Sequence, residues 1–318
     1  MIIDFVMILA GLILLVFAGD ALVKGAVNLS LRLGVPALIV GLTVVSFGTS
    51  APELLVSVQA VLDDAPSLAL GNVVGSNIAN ILLVLGVPAL IAALPVAKDL
   101  RADFLMMMGA TFLFIALAFA GPLGWPHGLA LLAGLGVMLW YSYIRARAHR
   151  AEAGAAQVDD VEELEGAEPG MSGKRITAYL LGGIIGLPLG ANLLVEGAVN
   201  VATTMGVSEA VIGLTLVAIG TSLPELATTM MAAVRREAGV ALGNVIGSNM
   251  FNLMCIIGVA SLIGPLPVPP SMLHLDLWVM AASSALLGVF VLSGRSIGKL
   301  SGLGLIALYV LYLLHLFH

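Results

Sequence analysis

The chain has 318 residues, 60% of them hydrophobic and only 10% charged, with a mean hydropathy of +1.11. A soluble domain carries about 25% charged residues, so this composition excludes a soluble globular protein and specifies one whose main solvent is lipid. The net charge of −6 comes largely from one acidic segment and offers no basic surface for nucleic acid; the single Cys255 excludes an internal disulfide.

Apolar windows long enough to cross a bilayer as helices occur at 2–25, 36–61, 68–93, 101–120, 124–145, 176–203, 208–233, 239–263, 274–293 and 298–317. The first lacks a basic leader and a small-residue cleavage site, so it reads as a span and not as a signal peptide. Gly-Pro, Asp-Asp-Ala-Pro and Pro-Val-Pro-Pro stretches punctuate the spans. Trp125, Trp140 and Trp278 fall near span ends, where amphipathic rings settle.

The charges agree with ten spans. All 13 Lys and Arg lie at alternate loops. Lys24 and Arg32 follow span 1, and Lys98 and Arg101 follow span 3. Arg145, Arg147, Arg150, Lys174 and Arg175 flank the centre; Arg235 and Arg236 follow span 7, and Arg295 and Lys299 follow span 9. The positive-inside rule makes that face cytoplasmic and puts both termini outside. Residues 146–175 hold Asp159, Asp160, Glu162, Glu163, Glu165 and Glu168 with little apolar content, and read as an acidic cytoplasmic linker.

Span 2 contains Gly48-Thr49-Ser50-Ala51-Pro52-Glu53, and Gly220-Thr221-Ser222-Leu223-Pro224-Glu225 repeats it 172 positions later in span 7. The same offset carries Gly25-Ala26-Val27-Asn28 onto Gly197-Ala198-Val199-Asn200. It also carries Gly71-Asn72 and Gly75-Ser76-Asn77 onto Gly243-Asn244 and Gly247-Ser248-Asn249. Five spans per repeat is an odd number, so the second copy enters the membrane upside down. The expected fold is an all-α integral membrane protein, ten transmembrane helices in two inverted five-helix repeats. The halves are residues 1–145 and 176–318, with repeat motifs at 40–80 and 212–252. Inverted repeats are a recurring plan of secondary transporters, which bind substrate near the midplane where the halves meet.

A carboxylate inside a span is expensive and marks function by default. Ser46, Thr49, Ser50 and Glu53 are spaced to share one helix face. Pro52 removes a backbone donor and, with Gly48, loosens the turn beside them. The second copy supplies Ala218, Thr221, Ser222 and Glu225. Ser76 and Asn80 on the third span, and Ser248 and Asn252 on the eighth, form further polar stripes. All these donors are oxygens, which suit hard cations. Asn72, Asn77, Asn244 and Asn249 read first as polar ties between helices. The five histidines scatter near loops and ends, so no nucleophile–base pair or metal triad supports an intramembrane enzyme.

The duplicated Gly-Thr-Ser-x-Pro-Glu and Gly-Asn-Val-x-Gly-Ser-Asn motifs resemble the cation/calcium exchanger superfamily, and within it the prokaryotic Na+/Ca2+ exchangers. The likeness covers spans 1–3 and 6–8 motif by motif. It implies a monomeric inner-membrane antiporter without a resident cofactor, which exports Ca2+ against Na+ by alternating access as spans 1 and 6 slide. It further implies Ca2+ and Na+ ligands at Glu53 and Glu225, with Thr49, Ser50, Thr221 and Ser222 beside them. Backbone oxygens of Ser46 and Ala218, and side chains of Ser76, Asn80, Ser248 and Asn252, would complete the set. One departure stands out: the family's Na+/Ca2+ members commonly carry an acid where this chain has Asn252. Three Na+ against two carboxylates leave a net positive charge, costing on the order of a few kcal/mol at an effective dielectric near 20. Fewer Na+ per cycle, or H+/Ca2+ exchange, are the alternatives this opens.

Overall fold

The computed structural model describes residues 2–97, 99–153, 168, 170–205 and 220–316. Their regular structure is helical: α1 (Ile2–Leu33), α2 (Ala37–Thr49), α3 (Ala51–Leu62), α4 (Pro66–Ile91), α5 (Leu100–Phe119), α6 (Trp125–Ala153), α7 (Gly173–Thr204), α8 (Leu223–Val234), α9 (Ala238–Ile263), α10 (Met272–Ser293) and α11 (Lys299–Leu316). Among the described residues, 8 helices are long and apolar enough to cross a membrane, and α2–α3, bent by 42°, makes a ninth if taken as one span. α8 has 12 residues; 206–219, the first part of the expected seventh span, lies outside the described residues.

Burial separates the helices by role. Within their apolar windows α4 and α9 are 72% and 78% buried, whereas α1 and α7 are 22% and 28% buried and α6 and α11 only 17%. α4 and α9 therefore form the core, and the others present apolar faces suited to lipid. Between helices in lipid there is no hydrophobic drive, so association rests on close packing and polar ties. The glycines supply the closeness. A Cβ on Gly243 of α9 would lie 2.7 Å from the Leu38 carbonyl oxygen of α2, and one on Gly11 of α1 would lie 2.6 Å from the Leu194 nitrogen of α7.

The contacts interchange under the 172-residue offset. Gly25 of α1 sits against Leu180 of α7, and its counterpart Gly197 of α7 sits against Ile8 of α1. Two isolated bridges behave alike: Leu94 after α4 pairs with Ile297 before α11, and Leu266 after α9 pairs with Leu123 before α6.

Helix extends into both ends of the expected 146–175 linker, because α6 continues to Ala153 and α7 begins at Gly173. Asp159, Asp160, Glu162, Glu163 and Glu165 lie outside the described residues. Glu168 pairs with Lys24 of α1 at 2.5 Å and with Arg175 of α7 at 3.1 Å, and its backbone N–H donates to Asn28 at 2.9 Å. Lys24, and secondarily Arg175, hold the Glu168 carboxyl below its ordinary range.

Candidate functional site

Both copies of the central motif break their helix at the same residue. Ser50 adopts φ −85°, ψ 1° between α2 and α3, and Ser222 adopts φ −89°, ψ 3° immediately before α8. A proline follows two positions later in each copy. In a first turn its missing donor costs nothing and its fixed φ favours restarting the helix. Each break therefore sets a glutamate, Glu53 or Glu225, in the first turn of a new helix, where unpaired backbone N–H groups favour negative charge.

α4 and α9 deviate at matching positions too. Asn80–Val84 and Phe251–Ile256 form π turns, so Asn80 and Asn252 both lie in widened turns. Such turns recur at functional sites.

These elements bring Glu53, Glu225, Ser50, Thr49, Ser248 and Ser46 together. Glu53 is 1% exposed and Glu225 is 0% exposed, and the two carboxyl groups are neighbours. Ser50 Oγ donates to Glu225 Oε1 at 3.3 Å, and Thr49 also stands beside Glu225. Thr49 Oγ1 donates to Asn244 Oδ1 at 3.1 Å and lies 3.4 Å from Ser248 Oγ. Ser76, Asn80, Ser222 and Asn252 are buried, and Thr221 is half-buried. Ala218 lies outside the described residues. The Ser46 carbonyl accepts from the Ser50 N–H at 2.9 Å and from Thr49 Oγ1 at 3.3 Å, while its hydroxyl donates to the Gly41 and Asn244 carbonyls. The Ser46 hydroxyl ties α2 to α9.

Some roles were invisible in the spacing. Asn244 accepts from Thr49 and donates to Thr229 Oγ1 at 3.2 Å, and its counterpart Asn72 donates to Ser57 at 3.1 Å. These amides tie helices, as the sequence reading gave them, yet Asn244 also holds a candidate ligand. Asp20, placed by sequence near a span end, pairs with Arg235 at 2.6 Å and so joins α1 to the residue after α8.

The buried atoms without a hydrogen-bond partner define what the arrangement can do. They include both carboxylate oxygens of Glu53, Oε2 of Glu225, Ser222 Oγ, Asn80 Oδ1, and both amide atoms of Asn252. Buried polar atoms are ordinarily paired, so each such atom in a native interior asks for a reason. Two adjacent buried carboxylates with three unpaired oxygens between them are the environment a dehydrated hard cation satisfies. No group of three His, Cys, Asp or Glu exists among the described residues, so the negative charge is that of the two glutamates.

Comparison with known proteins agrees with this chemistry. The family model described as sodium/calcium exchanger protein matches residues 3–144 and 175–318. The sodium/calcium exchanger MaX1 of Methanosarcina acetivorans is 34% identical over 351 residues, covering 99% of each chain. The inner membrane protein YrbG of Escherichia coli is 36% identical over 302 residues, covering 92% of each. Among solved structures, the sodium-calcium exchanger NCX_Mj superposes with a TM-score of 0.83 at 33% identity, covering 98% of this chain and 97% of that one.

Proposed function

The chain belongs to the sodium/calcium exchanger family, and from that premise we propose that it is a secondary antiporter that exports Ca2+ in exchange for Na+ by alternating access. The observation that carries this reading is the pair of buried, adjacent glutamates from the two motif copies, with three of their four oxygens unpartnered. Two carboxylates balance one Ca2+. Ca2+ and Na+ both take oxygen ligands, so one cage serves either in turn. Glu53 and Glu225 are the charged ligands, and Thr49, Ser50, Thr221, Ser222, Ser76, Asn80, Ser248 and Asn252 supply neutral oxygens around them, with the Ser46 and Ala218 backbones at the edge.

Ten spans in two inverted halves fit this role, and the interchanging α1–α7 contacts and paired bridges support that arrangement. The alternate-loop Lys and Arg support a cell-membrane protein with its central linker in the cytoplasm and both termini outside.

In proteoliposomes, an outward Na+ gradient drives Ca2+ uptake; uptake indifferent to Na+ overturns the coupling. Glu53→Gln and Glu225→Gln each reduce uptake at least about a hundredfold, since removing one charge leaves the dehydrated cation uncompensated. Asn252 favours a second reading, in which a glutamate proton replaces one Na+, because the cage holds only two negative charges. Ca2+ uptake driven by a pH gradient without Na+ distinguishes it.

A further inference from the structure

The two central helices, α4 and α9, carry matching amides at Asn80 and Asn252, and the structure treats them differently. Asn249 Nδ2 donates to the Asn77 backbone carbonyl at 3.3 Å. A carbonyl only accepts, so this contact fixes which end of the Asn249 amide faces the Asn77 carbonyl. Its other end, Oδ1, accepts from Asn80 Nδ2 at 3.0 Å. That uses the Asn80 donor and leaves Asn80 Oδ1 as the free end, buried and unpartnered. The polarity therefore passes from a backbone carbonyl through Asn249 to Asn80, with no ambiguity at either step.

The counterpart relay is missing. Asn77, which matches Asn249 under the 172-residue offset, donates instead to Val73 of its own helix at 2.8 Å. Asn252, which matches Asn80, has neither amide atom bonded.

We infer that Asn249 is a positioning residue for cation exchange: it turns the Asn80 amide so that an oxygen, and never an NH2 group, meets the cation, while Asn252 is left free to turn. This rests on the cage reading above. Without Asn249, the Asn80 amide rotates between two orientations, one of which points donors at a cation. Partners that orient a metal ligand typically contribute about 10–100-fold in affinity. A carboxylate at position 80 needs no such orientation, because its two ends are both oxygens.

The test compares Asn249→Leu in two backgrounds, using the Ca2+ concentration for half-maximal Na+-driven uptake and the Kd for Ca2+ of the purified protein. With Asn80 present, Asn249→Leu weakens both about tenfold or more. With Asn80→Asp, the same substitution changes them less than about twofold. Equal factors in the two backgrounds overturn the relay, because they describe a packing defect. Asn249→Ala gives the same comparison if leucine prevents folding, and the Kd carries it if Asn80→Asp halts transport. Glu53→Gln run alongside separates the two levels. Ca2+ binding lost in Glu53→Gln with equal Asn249 factors overturns the relay alone, whereas binding intact in Glu53→Gln overturns the cage and the relay with it.

Discussion

Two glutamates held out of water beside each other call for a proton or a cation between them, and in the proposed cage the neutral residue at position 252 limits how much positive charge that can be. A third unit charge at about 4 Å, at an effective dielectric near 20, is worth about 4 kcal/mol before desolvation. Asn252→Asp is therefore expected to lower the half-maximal Na+ concentration by at least about threefold at pH 8 and to steepen the Na+ dependence. The gain fades as the pH falls, because a protonated Asp is as neutral as the native amide. Unchanged Na+ dependence and slope would mean that position 252 does not face the cations. The carboxylates, hydroxyls and amides of the proposed cage stand out in the sequence because costly polar groups recur at one offset in apolar runs. Their bonding was not. The i, i+4 spacing of Ser76 and Asn80 gives a face, but that Asn249 reaches Asn80 while Asn77 turns back to Val73 depends on how α4 and α9 cross.

Among the elements, Pro52 and Pro224 announced disturbed turns, and the breaks at Ser50 and Ser222 stand beside them. The π turns at Asn80–Val84 and Phe251–Ile256 had no sequence signal, since a widened turn uses the same apolar residues as an ordinary one. Nor did the ion pair between Asp20 and Arg235, which are far apart in sequence. That pair breaks the symmetry of the halves: at the matching positions stand Asn192 and Asp63, which cannot form an ion pair. It thus fastens α1 to the end of α8, with no equivalent joining α7 to the end of α3. Both partners are partly exposed, so the pair is worth about 1 kcal/mol or less. If α1 and α7 slide during exchange, Asp20→Asn and Arg235→Gln each shift the ratio of half-maximal Ca2+ concentrations on the two membrane faces in one direction, by up to about fivefold. Exchanging the two charges, Asp20→Arg with Arg235→Asp, restores the native ratio. Opposite shifts from the two single variants would show that the residues act separately.

At the scale of the molecule, composition identified lipid as the solvent, and the recurring offset identified two related halves before any contact was known. Which helices form the centre was less legible: α1 and α4 are both strongly apolar, yet α4 is 72% buried and α1 22%. In α4 the residues buried against protein include Val73, Val74, Ser76, Asn77 and Asn80, whereas the long aliphatic faces of α1 suit lipid tails. In the proposed ten-span arrangement, orientation follows from charge: Arg and Lys resist transfer across the membrane, so alternate loops would stay on one side, and an odd number of spans per half would invert the second half. In a Cys255→Ser background, single cysteines at Arg236 and Gly124 provide the measurement. A membrane-impermeant maleimide added to intact cells labels Gly124→Cys and spares Arg236→Cys, and everted vesicles give the reverse. Labelling of both positions from one side would remove one of the three spans between them, and the two glutamate motifs would then run parallel. The two helix breaks would then face the same side of the membrane, and a single central cage could not open to each side through related movements of the two halves.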